Sequence, residues 1–341
     1  MDKLANQIID TADYVLAGGR ITYDQAAVLL AATGSNVILL LALANKIREK
    51  FVGDKMDLCA VISAKAGRCS EDCAFCAQSV HSEAQFKGHG LLSIDQIVAQ
   101  AVEHERNGAQ RCDIATCGLG YTGHEDEFKA ILAAFSAIKE KTNLKLCACL
   151  GTLTPKAAQL LASCGVERYN INLETAPSYF PRVVTSHDYT LRLDTIKWAQ
   201  AAGMEVCSGM IIGLGETPQQ RLEHAFLLRE LDVDAVPINI LMPVPGTRLK
   251  GAKPLPEMEI LKTFAIMRFI LPQKNIRFAA GREINLGPLQ PLGLIGGLNG
   301  MLIGNYLTKT GQGIDEDMAM LRGLGYSVEP QSPDGVAPRA W

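Results

Sequence analysis

LCAVISAKAGRCSEDCAFC (58–76) joins an apolar run of strand length to a loop bearing three thiols, Cys69, Cys73 and Cys76. The run at 58–63 is rich in β-branched and small residues, which reads as a buried strand feeding a loop. Seven further runs of this kind follow, at 111–115, 145–149, 167–173, 205–211, 235–241, 276–279 and 300–303. Between and after them lie amphipathic stretches near 94–107, 125–141, 155–164, 187–202, 217–231, 257–271, 288–297 and 314–324. Strands alternating with helices predict an α/β fold with a parallel sheet, and eight such units predict a (β/α)8 TIM-type barrel, closed or slightly open. In that architecture chemistry sits at the C-terminal ends of the strands, where the thiol loop falls.

Three helical patterns precede the first strand, at 8–17, 22–32 and 38–51. They predict an N-terminal helical extension over 1–52, a barrel over 53–328 and a loose tail over 329–341. With 48% hydrophobic and 20% charged residues, the chain can bury a large aliphatic core. A net charge of -3 gives no nucleic-acid footprint, so a small-molecule substrate is expected. No apolar run has the length of a membrane span, and residues 1–10 lack the sections of a signal peptide, which predicts a cytoplasmic protein. Ten cysteines in a reducing compartment point to metal or cluster ligation rather than disulfides, particularly as they group at 69/73/76, 112/117 and 147/149.

Three thiolates on one loop can hold three corners of a [4Fe-4S] cubane and leave the fourth iron open. A structural zinc loop would need a fourth ligand and usually pairs two CxxC units. The spacing, with Phe75 just before the last cysteine, resembles the motif of radical S-adenosylmethionine (SAM) enzymes. That resemblance implies that SAM chelates the open iron and is cleaved to a 5′-deoxyadenosyl radical, with Phe75 against the adenine.

From about residue 61 to 325 the chain resembles the biotin synthase family, which inserts sulfur into dethiobiotin. The resemblance rests on Leu-Gly-Thr-Leu (150–153), Tyr-Asn-Ile-Asn-Leu-Glu-Thr (169–175), Arg-Leu-Asp-Thr (192–195), Val-Cys-Ser-Gly (206–209), Gly-Leu-Gly-Glu-Thr (213–217), Val-Pro-Ile-Asn (236–239) and Ala-Gly-Arg-Glu (280–283). It implies that Asn172 and Glu174 bind the SAM ribose, with Glu174 standing where the family usually has Asp. Arg192 would pair with the SAM carboxylate, and Ile211 with the turn through Gly213 would support the adenine. Asn170 and Asn239 would hydrogen-bond the ureido ring of dethiobiotin, and Thr308, helped by Lys309, its carboxylate. Each has a plainer reading: a strand Asn can satisfy backbone groups, and Arg192 can be a solvated helix residue.

The family's second cluster is [2Fe-2S], held deep in the barrel by three cysteines and an arginine. Cys147, Cys207 and Arg277 match three of these ligands, but Asp113 stands where the remaining cysteine is expected, with Cys112 and Cys117 displaced nearby. Three serines of the familiar site correspond to Cys59, Ala235 and Gly300. These departures predict a different, larger auxiliary cluster, four-iron rather than two-iron, on Cys59, Cys147 and Cys207. Arg277, Asp113 or an exogenous sulfide would complete it, with Cys112, Cys117 and Cys149 in reserve. Cys164 reads as a small hydrophobe in a helix.

The expected activity is that of a sulfurtransferase drawing sulfur from the auxiliary cluster, with flavodoxin or ferredoxin as reductant and a homodimer allowed. Two alternatives stay open. Another radical SAM enzyme, hydrogenase-maturase-like or methylornithine-synthase-like, would explain the missing cysteine. A non-catalytic iron–sulfur electron carrier would have no use for the ribose, carboxylate and ureido contacts.

Overall fold

The computed structural model describes residues 2–307 and 311–328. Eight parallel strands close on themselves: β1 (Asp57–Lys65), β2 (Arg111–Thr116), β3 (Lys145–Cys149), β4 (Arg168–Asn170), β5 (Glu205–Cys207, continued as Met210–Ile212), β6 (Ala235–Ile240), β7 (Asn275–Phe278) and β8 (Gly300–Leu302). Each pairs with its sequence neighbours, and β8 returns to β1 through Asp57↔Gly300 and Cys59↔Leu302. The barrel is therefore closed, and α4 (Ile94–Arg106), α5 (Asp126–Lys141), α6 (Pro155–Ser163), α7 (Tyr189–Ala201), α8 (Pro218–Glu230) and α9 (Glu257–Ile270) follow the first six strands.

Local chemistry sets the helix starts. Ser93 and Thr217 each cap with a reciprocal Gln three residues on, at Gln96 and Gln220, while Thr154 and Thr217 are followed by Pro155 and Pro218, whose missing N–H costs nothing there. β4 and β5 are shorter than the sequence predicts. Register runs unbroken from Cys207↔Ala235 to Met210↔Ile238, but Pro237 of β6 has no N–H to donate and the Gly209 N–H goes to Asn172 Oδ1, so the ladder lapses at 208–209 and resumes at Met210.

The N-terminal helices α1 (Lys3–Leu16), α2 (Tyr23–Leu29) and α3 (Ser35–Phe51) lie outside the barrel, and α3 packs against α9. Covered on both sides, α9 is buried from Ile260 to Ile270, including Arg268, which donates to the carbonyls of Gly297, Leu271, Pro272 and Lys274 and to Asn299 Oδ1. After β7 come α10 (Arg282–Leu286) and α11 (Gln290–Ile295), and α12 (Ile314–Gly323) follows β8. Arg282 and Asp317, both fully buried, tie α10 to α12 through Arg282 Nη2, which lies 2.9 and 2.8 Å from the two carboxylate oxygens. Among the described residues no helix is long and apolar enough to cross a membrane.

Removing one partner of a buried ion pair strands the other. Asp317→Ala should cost about 3–5 kcal/mol in urea unfolding of anaerobically purified protein, whereas Arg282→Met with Asp317→Leu should recover much of that loss.

Candidate functional site

Side chains alternate along a strand, so in a closed barrel every second residue faces the lumen. Register aligns those positions: Asp113 pairs with Cys147, Cys147 with Arg168, and Asn170 with Cys207. They line a cavity of about 410 Å³ that runs from the barrel interior to the C-terminal mouth. Cys59, Asp113, Cys147, Cys207 and Arg277 lie on its wall, as do Asn170, Asn172, Glu174, Arg192, Ile211 and Asn239. Cys69, Cys73, Phe75 and Cys76 complete that wall.

The thiol loop is held from outside. Cys69 N–H donates to Gln78 and Ala74 N–H to the Val183 carbonyl, while Asp72 accepts from the backbone amides of Thr185 and Ser186 at 2.9 and 3.1 Å. Arg248 donates to the carbonyls of Asp72 and Val183, and Glu83 N–H to that of Gly246. Gly246 sits so close that a Cβ would lie 2.3 Å from the Ala84 nitrogen. Beneath the loop, Ala74, Phe180, Val183, Val184, Leu214 and Leu241 form a small core of their own, with Phe75 and Ile211 packed against it. Among the described residues no three Cys, His, Asp or Glu side chains converge on a single metal ion. A cubane instead takes one thiolate per iron. Burial pushes the Cys73 thiol up to about 12 against the nearby Arg192, and raises Cys76 as well. Both thiols are therefore protonated without a cluster and lose their protons when one is bound.

Glu174 stands at φ 67°, in the left-handed region that few side chains adopt. This backbone turns the carboxylate into the cavity, where Oε2 has no partner and burial raises its pKa. Arg192, far from solvated, donates from Nη1 to the Asn172 carbonyl and lies 3.5 Å from Glu174 Oε1. Asn172 Oδ1 accepts the Gly209 N–H at 3.1 Å. Asn170 donates from Nδ2 to Asp113 Oδ2 at 2.9 Å, leaving Asn170 Oδ1 and Asp113 Oδ1 buried and unpartnered. Asn239 lines the cavity with its amide already engaged: Oδ1 accepts the Ala280 N–H and Nδ2 donates to the Met210 carbonyl.

Deeper in the barrel Cys59 and Cys147 face each other closely enough that their interaction raises the Cys59 thiol and lowers that of Cys147, and Cys59 Sγ lies 3.7 Å from the Ala60 carbonyl. Burial raises Cys207 to about 11 against the pull of Arg277 and Arg168. On the same face of the barrel wall Asp57 Oδ2 lies 3.1 Å from Arg277, 3.4 Å from Arg111 and 3.5 Å from Arg168. Gly300 makes room for this set, since a Cβ there would meet Asn275 Oδ1 at 2.7 Å and Arg277 Cβ at 2.9 Å.

Of the reserve thiols, Cys117 and Cys149 line the cavity, but Cys112 does not. It follows Arg111 and precedes Asp113, both lumen-facing, so alternation turns it into the core between sheet and helices. Cys164 caps α6, half-buried, donating to the Leu161 carbonyl. Thr308 and Lys309 lie outside the described residues. Glu71 and His187, hydrogen-bonded to each other at 2.6 Å beside Arg192, escape sequence reading because 116 residues separate them.

Residues 65–228 match the Radical SAM superfamily and residues 237–327 the Biotin and Thiamin Synthesis associated domain. The chain is 60% identical to the biotin synthase of Clostridium acetobutylicum over 94% of its own length and 97% of that protein's. It is 53% identical to the biotin synthase of Carboxydothermus hydrogenoformans over 95% and 99%. Among solved structures it superposes on methylornithine synthase with a TM-score of 0.81 at 17% identity, covering 94% and 97% of the two chains. The fold is also that of the FeFe-hydrogenase maturase from Carboxydothermus hydrogenoformans, with a TM-score of 0.77 at 18% identity and coverage of 94% and 79%.

Burial pushes the Asp113 carboxyl from an ordinary 3.8 up to about 7, with the Asn170 hydrogen bond opposing it. A raised folded-state pKa means that the fold binds the extra proton. The associated stability is fully present below about pH 4 and is lost as pH rises through about 7. Denaturation of the metal-free protein at a series of pH values should show wild type losing stability across that window relative to Asp113→Asn.

Proposed function

The chain belongs to the biotin synthase family of the radical SAM superfamily, and from that membership we propose how its own residues share the reaction. It is a radical SAM sulfurtransferase that converts dethiobiotin to biotin. The observation that carries the assignment of residues is one cavity with two separate thiol sets, Cys69, Cys73 and Cys76 at its mouth and Cys59, Cys147 and Cys207 deeper in, with Asn170 also on its wall.

When bound, the [4Fe-4S] cluster with SAM supplies a 5′-deoxyadenosyl radical for hydrogen abstraction. Cys69, Cys73 and Cys76 would hold that cluster. The unpartnered Glu174 Oε2 is an acceptor for ribose hydroxyls, with Asn172 beside it, and Arg192 offers its guanidinium to the SAM carboxylate. Phe75 and Ile211, seated on the small apolar core, present a face for the adenine. Asn170 Oδ1 and Asp113 Oδ1 are acceptors waiting for donors, which the ureido N–H groups of dethiobiotin are. Asn239 keeps one spare N–H and one lone pair for the same ring. Thr308 rests on the family resemblance alone. The barrel wall excludes water from the substrate carbons.

For the auxiliary cluster, Cys59, Cys147, Cys207 and Arg277 are assigned as the holding set, and a four-iron cluster is favoured because Cys59 adds a thiol where the familiar site has none. Arg277 completes the remaining iron, with Asp113 or an exogenous sulfide as the alternatives to it, and Cys117 and Cys149 stay within the same cavity. Flavodoxin or ferredoxin as reductant, a homodimer and a cytoplasmic location belong to the same reading.

Anaerobic reconstitution followed by incubation with SAM, dithionite and dethiobiotin should give 5′-deoxyadenosine and biotin by mass spectrometry. 5′-Deoxyadenosine without any thiolated product would overturn the substrate reading. With two four-iron clusters, Cys59→Ala should lower iron from about eight to about four per chain, together with acid-labile sulfide. Unchanged loading would remove Cys59 from the set.

A further inference from the structure

Glu71 lies in the middle of the Cys69–Cys73 spacing, and its carboxylate is used up by hydrogen bonds away from the thiols. Oε1 accepts from Ser70 Oγ at 2.9 Å, and Oε2 accepts from Ser186 Oγ at 2.5 Å and faces His187 Nδ1 at 2.6 Å. The other imidazole nitrogen, Nε2, meets Arg192 Nε at 3.0 Å. An arginine N–H can only donate, so Nε2 accepts, and the one proton of a neutral imidazole falls on Nδ1, where it is donated to Glu71. Every group in Glu71–His187–Arg192 thus has the single role open to it. Phe180 packs edge-on to the imidazole at 5.8 Å and lies 5.8 Å from the guanidinium carbon, and the His187 side chain is only 3% exposed.

We infer that His187 and Glu71 are positioning residues for SAM, holding the Arg192 guanidinium at a fixed offset from the thiol loop. This deepens the reading that Arg192 takes the SAM carboxylate, and it rests on that reading. SAM must be held at two points at once, at the cluster and at Arg192. The loop at 69–76 sets the first point, and α7, more than a hundred residues later, supplies the second. Asp72 and Arg248 bond the loop to residues 183–186, but neither reaches Arg192. The Glu71–His187 bond does, because its far end lands on Nε and fixes the guanidinium plane, while Nη1 is held by the Asn172 carbonyl. A free arginine at this place would sample many rotamers, and SAM binding would have to select one.

The test uses reconstituted holoenzyme bearing His187→Ala, His187→Gln, Glu71→Gln or Arg192→Lys. Iron content is measured together with KM for SAM, KM for dethiobiotin, kcat, and the change in the electron paramagnetic resonance signal of the reduced cluster as SAM is titrated in. His187→Ala should raise the SAM KM and the midpoint of the spectroscopic titration together by about tenfold, the equivalent of one charge-assisted hydrogen bond, with iron content and the dethiobiotin KM unchanged. Glu71→Gln should move both in the same direction. His187→Gln, whose carboxamide offers an acceptor to Arg192 and a donor to Glu71, should recover most of the loss. If Arg192→Lys weakens SAM and His187→Ala does not, the positioning role is overturned. If Arg192→Lys leaves SAM affinity unchanged, the carboxylate reading itself fails. A His187→Ala or Glu71→Gln protein that loses iron in step with activity would assign these residues to loop structure alone and equally overturn the inference.

Discussion

A single carboxylate oxygen, Asp57 Oδ2, answers guanidinium groups from three strands of the ring, Arg111 of β2, Arg168 of β4 and Arg277 of β7. Three buried cations inside a barrel repel one another, and they are tolerable only with an anion among them. Burial works against the Asp57 charge, yet Arg277, Arg111 and Arg168 together hold its carboxyl below the usual range. Asn275 adds a neutral donor at 2.8 Å, and Glu205 shares Arg168 at 2.7 Å and Arg111 at 3.5 Å. Three guanidinium groups against two carboxylates leave this side of the site net positive. That excess suits a wall of thiolates and whatever anionic sulfur they hold.

Above this layer the molecule divides its labour between two kinds of support. The deeper thiols come from barrel strands, whose positions are fixed by ladder hydrogen bonds on both sides. The thiols at the mouth come from a loop, which has no ladder. Its order is borrowed from segments 183–187 and 246–248 and from the small core around Phe180. The same side chains therefore serve the loop and the pocket beside it.

Much of the barrel was legible because β-branched runs and helical periodicity alternate without interruption, and the lumen positions followed from period two once a strand was placed. That rule would also have excluded Cys112, since Cys112 and Asp113 cannot both face inward on one strand. The break in β5 was hidden, because it depends on Pro237 of another strand lying opposite Gly209 and on the Asn172 side chain taking the Gly209 N–H. The left-handed turn at Glu174 was hidden for a similar reason: a glutamate gives no local sign that its neighbours will force φ positive. Asn239 illustrates a different limit, in that it lies on the cavity wall while its engagement with backbone groups has no sign in the sequence. Glu71 and His187 had no signal at all, as each is an ordinary polar residue until the fold brings residues 71 and 187 together.

The borrowed order of the thiol loop has a consequence for how the chain comes into being. Cys69, Cys73 and Cys76 leave the ribosome well before the residues that will hold them, and Arg248 is the last to arrive. At ordinary elongation rates the interval is roughly 10–30 s. Throughout it the three thiols belong to a segment with no mature seat, open to oxidants and to stray metal ions. The seat of the three thiols is therefore complete only once the sixth barrel strand and the loop beyond it have been made, not when the cysteines themselves appear.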